Sequence, residues 1–121
     1  MDKKKIVLVE DNAVFSMILK FVLEKEGYSM FLAGDGKEAK TLIESENPDI
    51  VLLDVMLPYV NGLEVVSYVR GMLDMTMPII VFSASGQDDM VHRVRGVGAN
   101  DFIEKPFDPD SLVVRIKQFL N

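Results

Sequence analysis

The sequence predicts an α/β domain built around a parallel sheet. Short, continuous apolar runs alternate five times with segments whose apolar residues recur at helical spacing. No change of composition and no linker interrupts this alternation, and 121 residues suit a single hydrophobic core. Alternation of this kind is typical of parallel sheets with helices on both faces and right-handed crossovers. We therefore predict one domain over residues 1–121.

Five segments are predicted as strands. Three are continuous, β-branched runs bounded by turn formers, as expected for strands buried on both faces: Ile6–Val9, Ile50–Leu53 and Ile79–Phe82. Tyr28–Ala33 alternates only partially, which suits a more exposed strand. Phe102–Ile103, which Asp101 and Glu104 flank, is the shortest candidate.

The first two predicted helices have recognisable ends. Asn12 is a candidate N-cap of the first helix, and Gly27 marks its end. Its apolar residues follow the i, i+3, i+4, i+7 spacing: Val14, Met17, Ile18, Phe21 and Val22. The second helix opens at Asp35 and closes before Pro48, with apolar residues at Ala39, Leu42 and Ile43.

Three further helices follow the same logic. The fourth ends at Gly96 and Gly98, and the fifth begins with Asp108-Pro109, a cap followed by proline at the first helical position. The apolar positions are Leu63, Val66, Val69 and Leu73 in the third helix, Met90, Val91, Val94 and Val97 in the fourth, and Leu112, Val113, Ile116 and Leu120 in the fifth.

Composition excludes several classes of function. Apolar residues make up 49% of the chain, which excludes a disordered protein. The absence of cysteine excludes disulfides, cysteine zinc sites and thiol nucleophiles, and it fits a reducing cytoplasm. His92 is the only histidine, so we expect neither a histidine-based triad nor a multi-histidine metal site. A net charge of −6 argues against direct nucleic-acid binding.

No segment has the pattern of a signal peptide or a membrane span. Lys3, Lys4 and Lys5 precede an apolar run, as in the start of a secretory signal. That run has four residues before Glu10-Asp11, whereas a signal needs about 7–15. The other apolar runs are equally short. We therefore predict a cytoplasmic protein without membrane contact.

Chemistry-bearing residues follow four of the predicted strands. Glu10 and Asp11 follow the first strand, Asp54 the third, Ser83 the fourth and Lys105 the fifth. In an open parallel sheet the ligand site lies outside the carboxyl ends of the strands. Three crowded carboxylates need a compensating cation, and Mg²⁺ prefers a few carboxylates together with waters and phosphate oxygens. The added hydroxyl and ammonium groups favour a phosphoryl site.

At this point the chain resembles the receiver domains of bacterial two-component response regulators, over essentially its whole length. The matching motifs are IVLVEDN at residues 6–12, LDVMLP at residues 53–58 with Gly62, FSA at residues 82–84, and FIEKPF at residues 102–107. The resemblance implies a flavodoxin-like, doubly wound fold: a five-stranded parallel sheet in order 2-1-3-4-5, flanked by five helices. It implies a signalling phosphoprotein that catalyses only its own phosphorylation and dephosphorylation.

The resemblance also implies a role for each acidic residue. Asp54 would accept a phosphoryl group from the phosphohistidine of a sensor histidine kinase or a phosphotransfer protein. Asp11 and Asp54 would bind Mg²⁺ together with Glu10, directly or through water, and the backbone carbonyl of Met56 would be a further ligand. Glu10 stands where aspartate is commoner in the family, and it keeps a carboxylate.

The remaining implied roles concern the phosphoryl group and the response to it. Ser83 would hydrogen-bond a phosphoryl oxygen, and Lys105 would pair with it, with a cis peptide bond between Lys105 and Pro106. Phe102 would be the aromatic switch residue that turns inward when Ser83 moves. Output partners would then bind the face formed by the fourth helix, the fifth strand and the fifth helix.

Two details of the sequence bear on assembly and signal lifetime. Asp101 and Arg115 match part of a cross-dimer ion-pair network of related DNA-binding regulators, but Ser111 replaces its acidic member, so we expect at most weak dimerisation, favoured by phosphorylation. Met56 and Ser85 should flank the approach of water to a phosphorylated Asp54. Because neither orients water well, we predict slow loss of the phosphoryl group.

Three other interpretations remain open at this stage. Residues 34–39, GDGKEA, fit the dinucleotide fingerprint, although they do not follow the first strand. An aspartyl-nucleophile phosphatase would use the same acceptor, but it usually needs an acid two residues later, where this chain has Met56. A receiver fold that serves only as a non-phosphorylated interaction module would not need the intact set of polar residues.

Overall fold

Five parallel strands form one sheet in the order β2-β1-β3-β4-β5. The computed structural model describes residues 3–84 and 88–120. The strands are β1 Lys5–Val9, β2 Ser29–Ala33, β3 Ile50–Asp54, β4 Ile79–Ser83 and β5 Asp101–Glu104. All five predicted strands and their predicted order are therefore confirmed. The strand predicted to be more exposed, β2, lies at one edge of the sheet.

Five helices connect and follow the strands. They are α1 Ala13–Lys25, α2 Gly36–Glu46, α3 Gly62–Ser67, α4 Asp88–Gly96 and α5 Pro109–Leu120. A π-helical turn, Tyr68–Met72, continues α3, so Leu73 of the predicted third helix lies just past its end. Among the described residues no helix is long and apolar enough to cross a bilayer.

The predicted N-caps stabilise the helices as expected. The side chain of Asn12 accepts a hydrogen bond from the backbone N–H of Phe15 at 3.0 Å. The side chain of Asp35 accepts one from the N–H of Glu38 at 2.8 Å. The two caps lie close behind the carboxyl ends of β1 and β2. Glu10 and Asp11 therefore lie in a short segment between the end of β1 and the cap of α1.

The sheet separates two apolar layers. Successive side chains of β1 point to opposite faces, so that Ile6 and Leu8 belong to one buried cluster and Val7 and Val9 to the other. The first cluster contains the buried residues of α1 and α5, namely Leu19, Leu23, Leu112, Val113 and Ile116. The second contains the buried residues of α2, α3 and α4. Strands covered on both faces explain the continuous apolar runs of the sequence.

The buried face of α1 differs from the apolar stripe in its sequence. Such a stripe ordinarily marks the buried face of a helix. Here Val14, Met17 and Phe21 are 71%, 58% and 62% exposed, whereas Leu19 and Leu23 are fully buried. The spacing thus predicts the helix correctly but indicates the wrong face, because a second apolar stripe on the same helix packs against the sheet.

Candidate phosphoacceptor site

Three carboxylates converge at the carboxyl edge of the sheet. Val9 is paired with Leu53 in the ladder between β1 and β3, so the residues after Val9 lie beside Asp54. Oxygens of Glu10, Asp11 and Asp54 all lie within 4.8 Å of one another. Glu10 and Asp54 are 3% and 5% exposed, and Asp11 is exposed to solvent. Negative charge is therefore concentrated in a largely desolvated place.

Lys105 supplies the compensating cation among the described residues of this site. Its Nζ lies 2.6 Å from Oε1 of Glu10 and 2.6 Å from Oδ2 of Asp54. Burial opposes the charge of the ammonium, but the hydrogen bonds to Asp54 and Glu10 outweigh it, so the pKa of Lys105 is raised. The ammonium thus bridges two carboxylates that come from different strands.

The backbone around each buried carboxylate also donates hydrogen bonds. The N–H of Asn12 donates to Oε2 of Glu10 at 3.0 Å, and the N–H of Met56 donates to Oδ1 of Asp54 at 2.9 Å. Desolvation nevertheless raises the pKa of Glu10 above its usual value, and the nearby charge of Asp54 contributes in the same direction. Both carboxylates are thus held in fixed orientations, and for Glu10 this has an electrostatic cost.

The other predicted site residues that the structure describes lie on β4, on β5 and in the turn after β5. Ser83 is the last residue of β4 and is 1% exposed, and its carbonyl accepts a hydrogen bond from the N–H of Lys105 at 2.8 Å. The Lys105–Pro106 peptide bond is cis, as the resemblance implies. Phe102 is half-buried on β5, beside Val81 of β4. Ser85, which we expected near the approach of water, lies outside the described residues.

The donor set suits a hard divalent cation. Two buried carboxylates share the ammonium of Lys105 and the exposed carboxylate of Asp11 lies beside them, so the charge of the three is only partly neutralised within the described residues. Mg²⁺ binds such oxygen ligands and keeps several waters, for which the exposed side of Asp11 leaves room. The acidic cluster is therefore compatible with Mg²⁺.

A glycine allows α3 to begin immediately beside the acceptor. The N–H of Gly62 donates to the carbonyl of Val55 at 2.9 Å. A Cβ at Gly62 would lie 2.5 Å from the backbone oxygen of Asp54 and 2.7 Å from Cα of Val55. Any side chain there would displace the segment that carries Asp54, which explains why glycine ends this motif.

The glycine-rich segment before α2 has a packing role. A Cβ at Gly36 would lie 2.5 Å from Cβ of Val60, so this glycine permits close contact between α2 and the segment before α3. Asp35 between the glycines caps α2. These contacts explain the resemblance to the dinucleotide fingerprint without a bound phosphate.

Three aromatic residues beside Lys105 were not identified from the sequence. The Nζ of Lys105 lies 4.8 Å from the ring centroid of Phe15 and 5.3 Å from that of Phe82. Phe107 contacts both rings. Phe82 and Phe107 lie within the motifs, next to Ser83 and Pro106, but nothing in the sequence indicates that Phe15 of α1 reaches the same place.

Comparison with known proteins agrees with this architecture. A putative response regulator from Chloroflexus aurantiacus is 33% identical, with a TM-score of 0.91, and 98% of each chain is covered. The chemotaxis protein CheY4 of Vibrio cholerae is 25% identical, with a TM-score of 0.92 over 98% of this chain and 99% of that one. The Francisella response regulator 1452 receiver domain is 28% identical, with a TM-score of 0.91 over 97% of this chain and 96% of that one. The sequence model of the response regulator receiver domain matches residues 6–117, and the chain therefore belongs to that family.

Proposed function

We propose that Asp54 accepts a phosphoryl group from a phosphohistidine of a sensor histidine kinase or a phosphotransfer protein. The observation that carries this proposal is the ammonium of Lys105, which bridges buried Asp54 and Glu10 beside exposed Asp11. Receiver domains take part in two-component signalling, where histidine kinases or phosphotransfer proteins are their donors. The chain acts here as a signalling protein whose only chemistry is its own phosphorylation and dephosphorylation.

The transfer needs a nucleophile and groups that stabilise the negative charge of the phosphoryl oxygens. An oxygen of Asp54 attacks phosphorus, a P–O bond forms, and the P–N bond to the donor imidazole breaks. The imidazole leaves with the electron pair of that bond and takes up a proton. The added phosphoryl oxygens increase the negative charge, and Lys105 can transfer its hydrogen bond from the carboxylate to one of them. Ser83, one strand away, would donate its hydroxyl to another.

The acidic cluster supports a requirement for Mg²⁺. Receiver domains generally bind this ion at an acidic pocket, and Glu10, Asp11 and Asp54 would hold it here with the backbone carbonyl of Met56. When bound, the ion supplies positive charge that offsets the charge of the phosphoryl oxygens. The N–H of Met56 orients Oδ1 of Asp54, while Oδ2 accepts the hydrogen bond of Lys105 that would pass to a phosphoryl oxygen.

The exposed stripe on α1 supports a docking place for the phosphodonor protein. A cavity beside the acidic cluster and a groove along α1 share two lining residues, Ala13 and Met17, so the acceptor site and the apolar stripe are continuous. Val14 and Phe21 are exposed farther along the same groove. Contiguous exposed apolar surface of this kind marks interaction sites, and the donor must bring its phosphohistidine to this edge.

Output would follow from changes at the face of α4, β5 and α5. Phosphorylation would draw Ser83 toward the new oxygens, and Phe102 would repack on β5 beside the neighbouring strand. On this face Asp101 and Arg115 form an ion pair of 2.6 Å within one chain. Because the pair is satisfied internally, we retain the expectation of at most weak, phosphorylation-favoured dimerisation.

The other interpretations of the site are not favoured. The residue two after Asp54 is Met56, whose apolar side chain is 68% exposed, so no acid of a phosphatase type stands there. The match to the receiver family covers nearly the whole chain. A pure interaction module would have no need for two buried carboxylates that share one lysine.

The proposal is tested by intact-mass measurement after incubation with acetyl phosphate. We expect one added phosphoryl group in the presence of Mg²⁺, and none after EDTA or in Asp54→Asn. Asp74→Asn is the matched control, since Asp74 lies in the segment before β4 at the opposite edge, and its φ of +52° suits asparagine. Phosphorylation of Asp54→Asn, or of the wild type in EDTA, would overturn the assignment.

A further inference from the structure

The ammonium of Lys105 lies against aromatic rings as well as carboxylates. The ring centroids of Phe15 and Phe82 are 4.8 and 5.3 Å from Nζ. Both distances fall within the range of about 6 Å over which a ring quadrupole attracts a cation. The side chain of Lys105 is 22% exposed, so these contacts operate in a partly desolvated place. Two neutral aromatic groups therefore share one cation with two carboxylates.

The rings come from a helix, a strand and a loop, and they pack against one another. Phe15 lies on α1, fully buried Phe82 lies in β4, and Phe107 follows the turn that carries Lys105. Their pairwise centroid distances are 6.2, 5.5 and 5.5 Å, with interplanar angles of 83°, 72° and 61°. Edge-to-face contacts of this kind are favourable and restrict ring rotation. The aromatic surface under the ammonium is thus fixed by packing.

The two carboxylates alone do not keep the ammonium of Lys105 in place during phosphoryl transfer. Its four-carbon stem is flexible, and its bonds to Glu10 and Asp54 must be exchanged when new oxygens arrive at the site. An aromatic face attracts the ammonium but accepts no conventional hydrogen bond from it. The rings can therefore retain the ammonium while its N–H groups exchange one anionic partner for another.

We propose that Phe15 and Phe82 are positioning residues that hold the ammonium of Lys105 over Asp54 through their ring faces. The proposal deepens the proposed function, on which its catalytic meaning rests. It assigns a role at the acceptor site to Phe15, a residue of α1 that lies outside the acidic cluster. Its rival is that Phe15 only fills space between α1 and β4.

Substitutions at Phe15 separate these two explanations. Phe15→Leu keeps an apolar side chain but removes the ring, whereas Phe15→Tyr keeps the ring. A cavity of about 260 Å³ borders Phe15, Lys105 and Phe107, so it has room for the added hydroxyl. Phe31→Leu is the matched control, because Phe31 is also half-buried and lies 5.8 Å from an ammonium, that of Lys5, but on the edge strand β2.

The primary measurement is side-chain NMR relaxation of Lys105 in the unphosphorylated protein. We expect a lower order parameter for the Lys105 side chain in Phe15→Leu and the wild-type value in Phe15→Tyr and Phe31→Leu. The second measurement is the rate of phosphorylation by acetyl phosphate. We expect it to fall about fivefold in Phe15→Leu only, in keeping with the usual strength of a partly desolvated cation–π contact.

Each possible outcome of the two measurements either supports or overturns the proposed role of Phe15. Unchanged order of Lys105 in Phe15→Leu would overturn the proposal, as would a Phe15→Tyr protein that behaves like Phe15→Leu, since both point to packing alone. Loosened Lys105 with an unchanged rate would also overturn it. If the wild type accepts no phosphoryl group, the proposed function fails, while the NMR comparison still shows whether the rings order Lys105.

Discussion

Lys105 and Arg70 lie at opposite edges of the same sheet and are bound in different ways. Lys105, at the carboxyl edge, pairs with two carboxylates. Arg70, at the amino edge, donates to the backbone carbonyls of Gly98 and Met75 at 2.9 and 3.0 Å and to the amide oxygen of Asn100 at 2.9 Å. One cation has charged partners and the other has neutral ones.

The difference indicates that the cation at the carboxyl edge, unlike the one at the amino edge, can exchange its hydrogen-bond partners. Carboxylates can be shared with a metal ion, and a phosphoryl oxygen can replace one of them, so the partners of Lys105 can change without unfolding the chain. The carbonyls that Arg70 binds have no such substitute, and they join the segments before β4 and β5. Burial lowers the pKa of Arg70, and its three hydrogen bonds compensate for the lost hydration. We therefore expect Arg70 to affect stability under all conditions, whereas Lys105 should affect phosphorylation and should affect stability only without a divalent cation.

The largest effect on stability is expected from Arg70→Met. Two backbone carbonyls at the amino edge lose the guanidinium donor, and Oδ1 of Asn100 keeps only the hydrogen bond from the N–H of Ile79, so the free energy of unfolding should fall by about 3 kcal/mol. The acceptor site lies at the other edge, so phosphorylation by acetyl phosphate should be unchanged below the melting temperature. Urea unfolding measures the first quantity and intact mass the second. Arg95→Met, at an exposed position on α4, is the control, and an equal loss in both variants would break the comparison.

Lys105→Met should destabilise the chain only while no divalent cation is present. Without the ammonium, Glu10 and Asp54 remain as buried, uncompensated charges, which should lower the unfolding free energy by about 2 kcal/mol. Addition of Mg²⁺ should restore most of this loss, and the variant should gain more from Mg²⁺ than the wild type does. Thermal unfolding with Mg²⁺ and with EDTA tests this. An equal gain in both proteins would show that Lys105 and the ion do not share the carboxylates.

Glu10→Gln should stabilise the chain while it impairs phosphorylation. The pKa of Glu10 is raised in the fold, chiefly by desolvation, so its ionised form is disfavoured there. At neutral pH the free energy of unfolding of the variant should exceed that of the wild type by about 1 kcal/mol. The difference should vanish below the ordinary glutamate pKa and grow as the pH rises from there to the folded pKa. Urea unfolding across this pH range measures the difference, with Glu44→Gln at an exposed position as control. A difference in unfolding free energy between Glu10→Gln and the wild type that shrank as the pH rose would contradict the prediction.

Met56→Asn should shorten the lifetime of phosphorylated Asp54 and leave the stability of the chain unaffected. Met56 is largely exposed, so the unfolding free energy should stay within about 0.5 kcal/mol. An amide there could orient the attacking water, and loss of the phosphoryl group should accelerate about tenfold, which corresponds to about 1.4 kcal/mol in the barrier. Decay is followed by intact mass after removal of the phosphodonor. Tyr59→Asn, exposed on the same segment with φ of +67°, should decay like the wild type. An unchanged rate in Met56→Asn would refute the role of this side chain.

The sequence predicts the acidic cluster well because of how parallel strands end. Glu10, Asp11 and Asp54 follow strands that pair in register, so their proximity depends on backbone geometry that the apolar runs already indicate. Lys105 follows β5, which is two strands from β3, and its long side chain brings Nζ to 2.6 Å from Asp54. The motifs of the family added the roles of these residues, which composition and spacing alone do not provide.

The faces of α1 could not be predicted in the same way. Phe15, Leu19 and Leu23 form a second apolar stripe on α1, and Val22 of the predicted stripe packs with them. The rest of the predicted stripe is exposed: Val14, Met17, Ile18 and Phe21. Periodicity identifies the helix but does not choose between two stripes, because the choice depends on packing against the sheet and α5. The contacts of Phe15 with Lys105 depend on that same choice, and they were missed for the same reason.

The two stripes of α1 have a consequence for how such chains diverge after gene duplication. Leu19 and Leu23 are held in place by the core, so most changes there would be eliminated by misfolding. Val14, Met17 and Phe21 contribute little to folding, and substitutions there leave the core and the acidic cluster intact. With the phosphodonor docked on this stripe as we propose, a duplicated copy would acquire a new donor through a few changes on one helix, while the acidic cluster stayed the same.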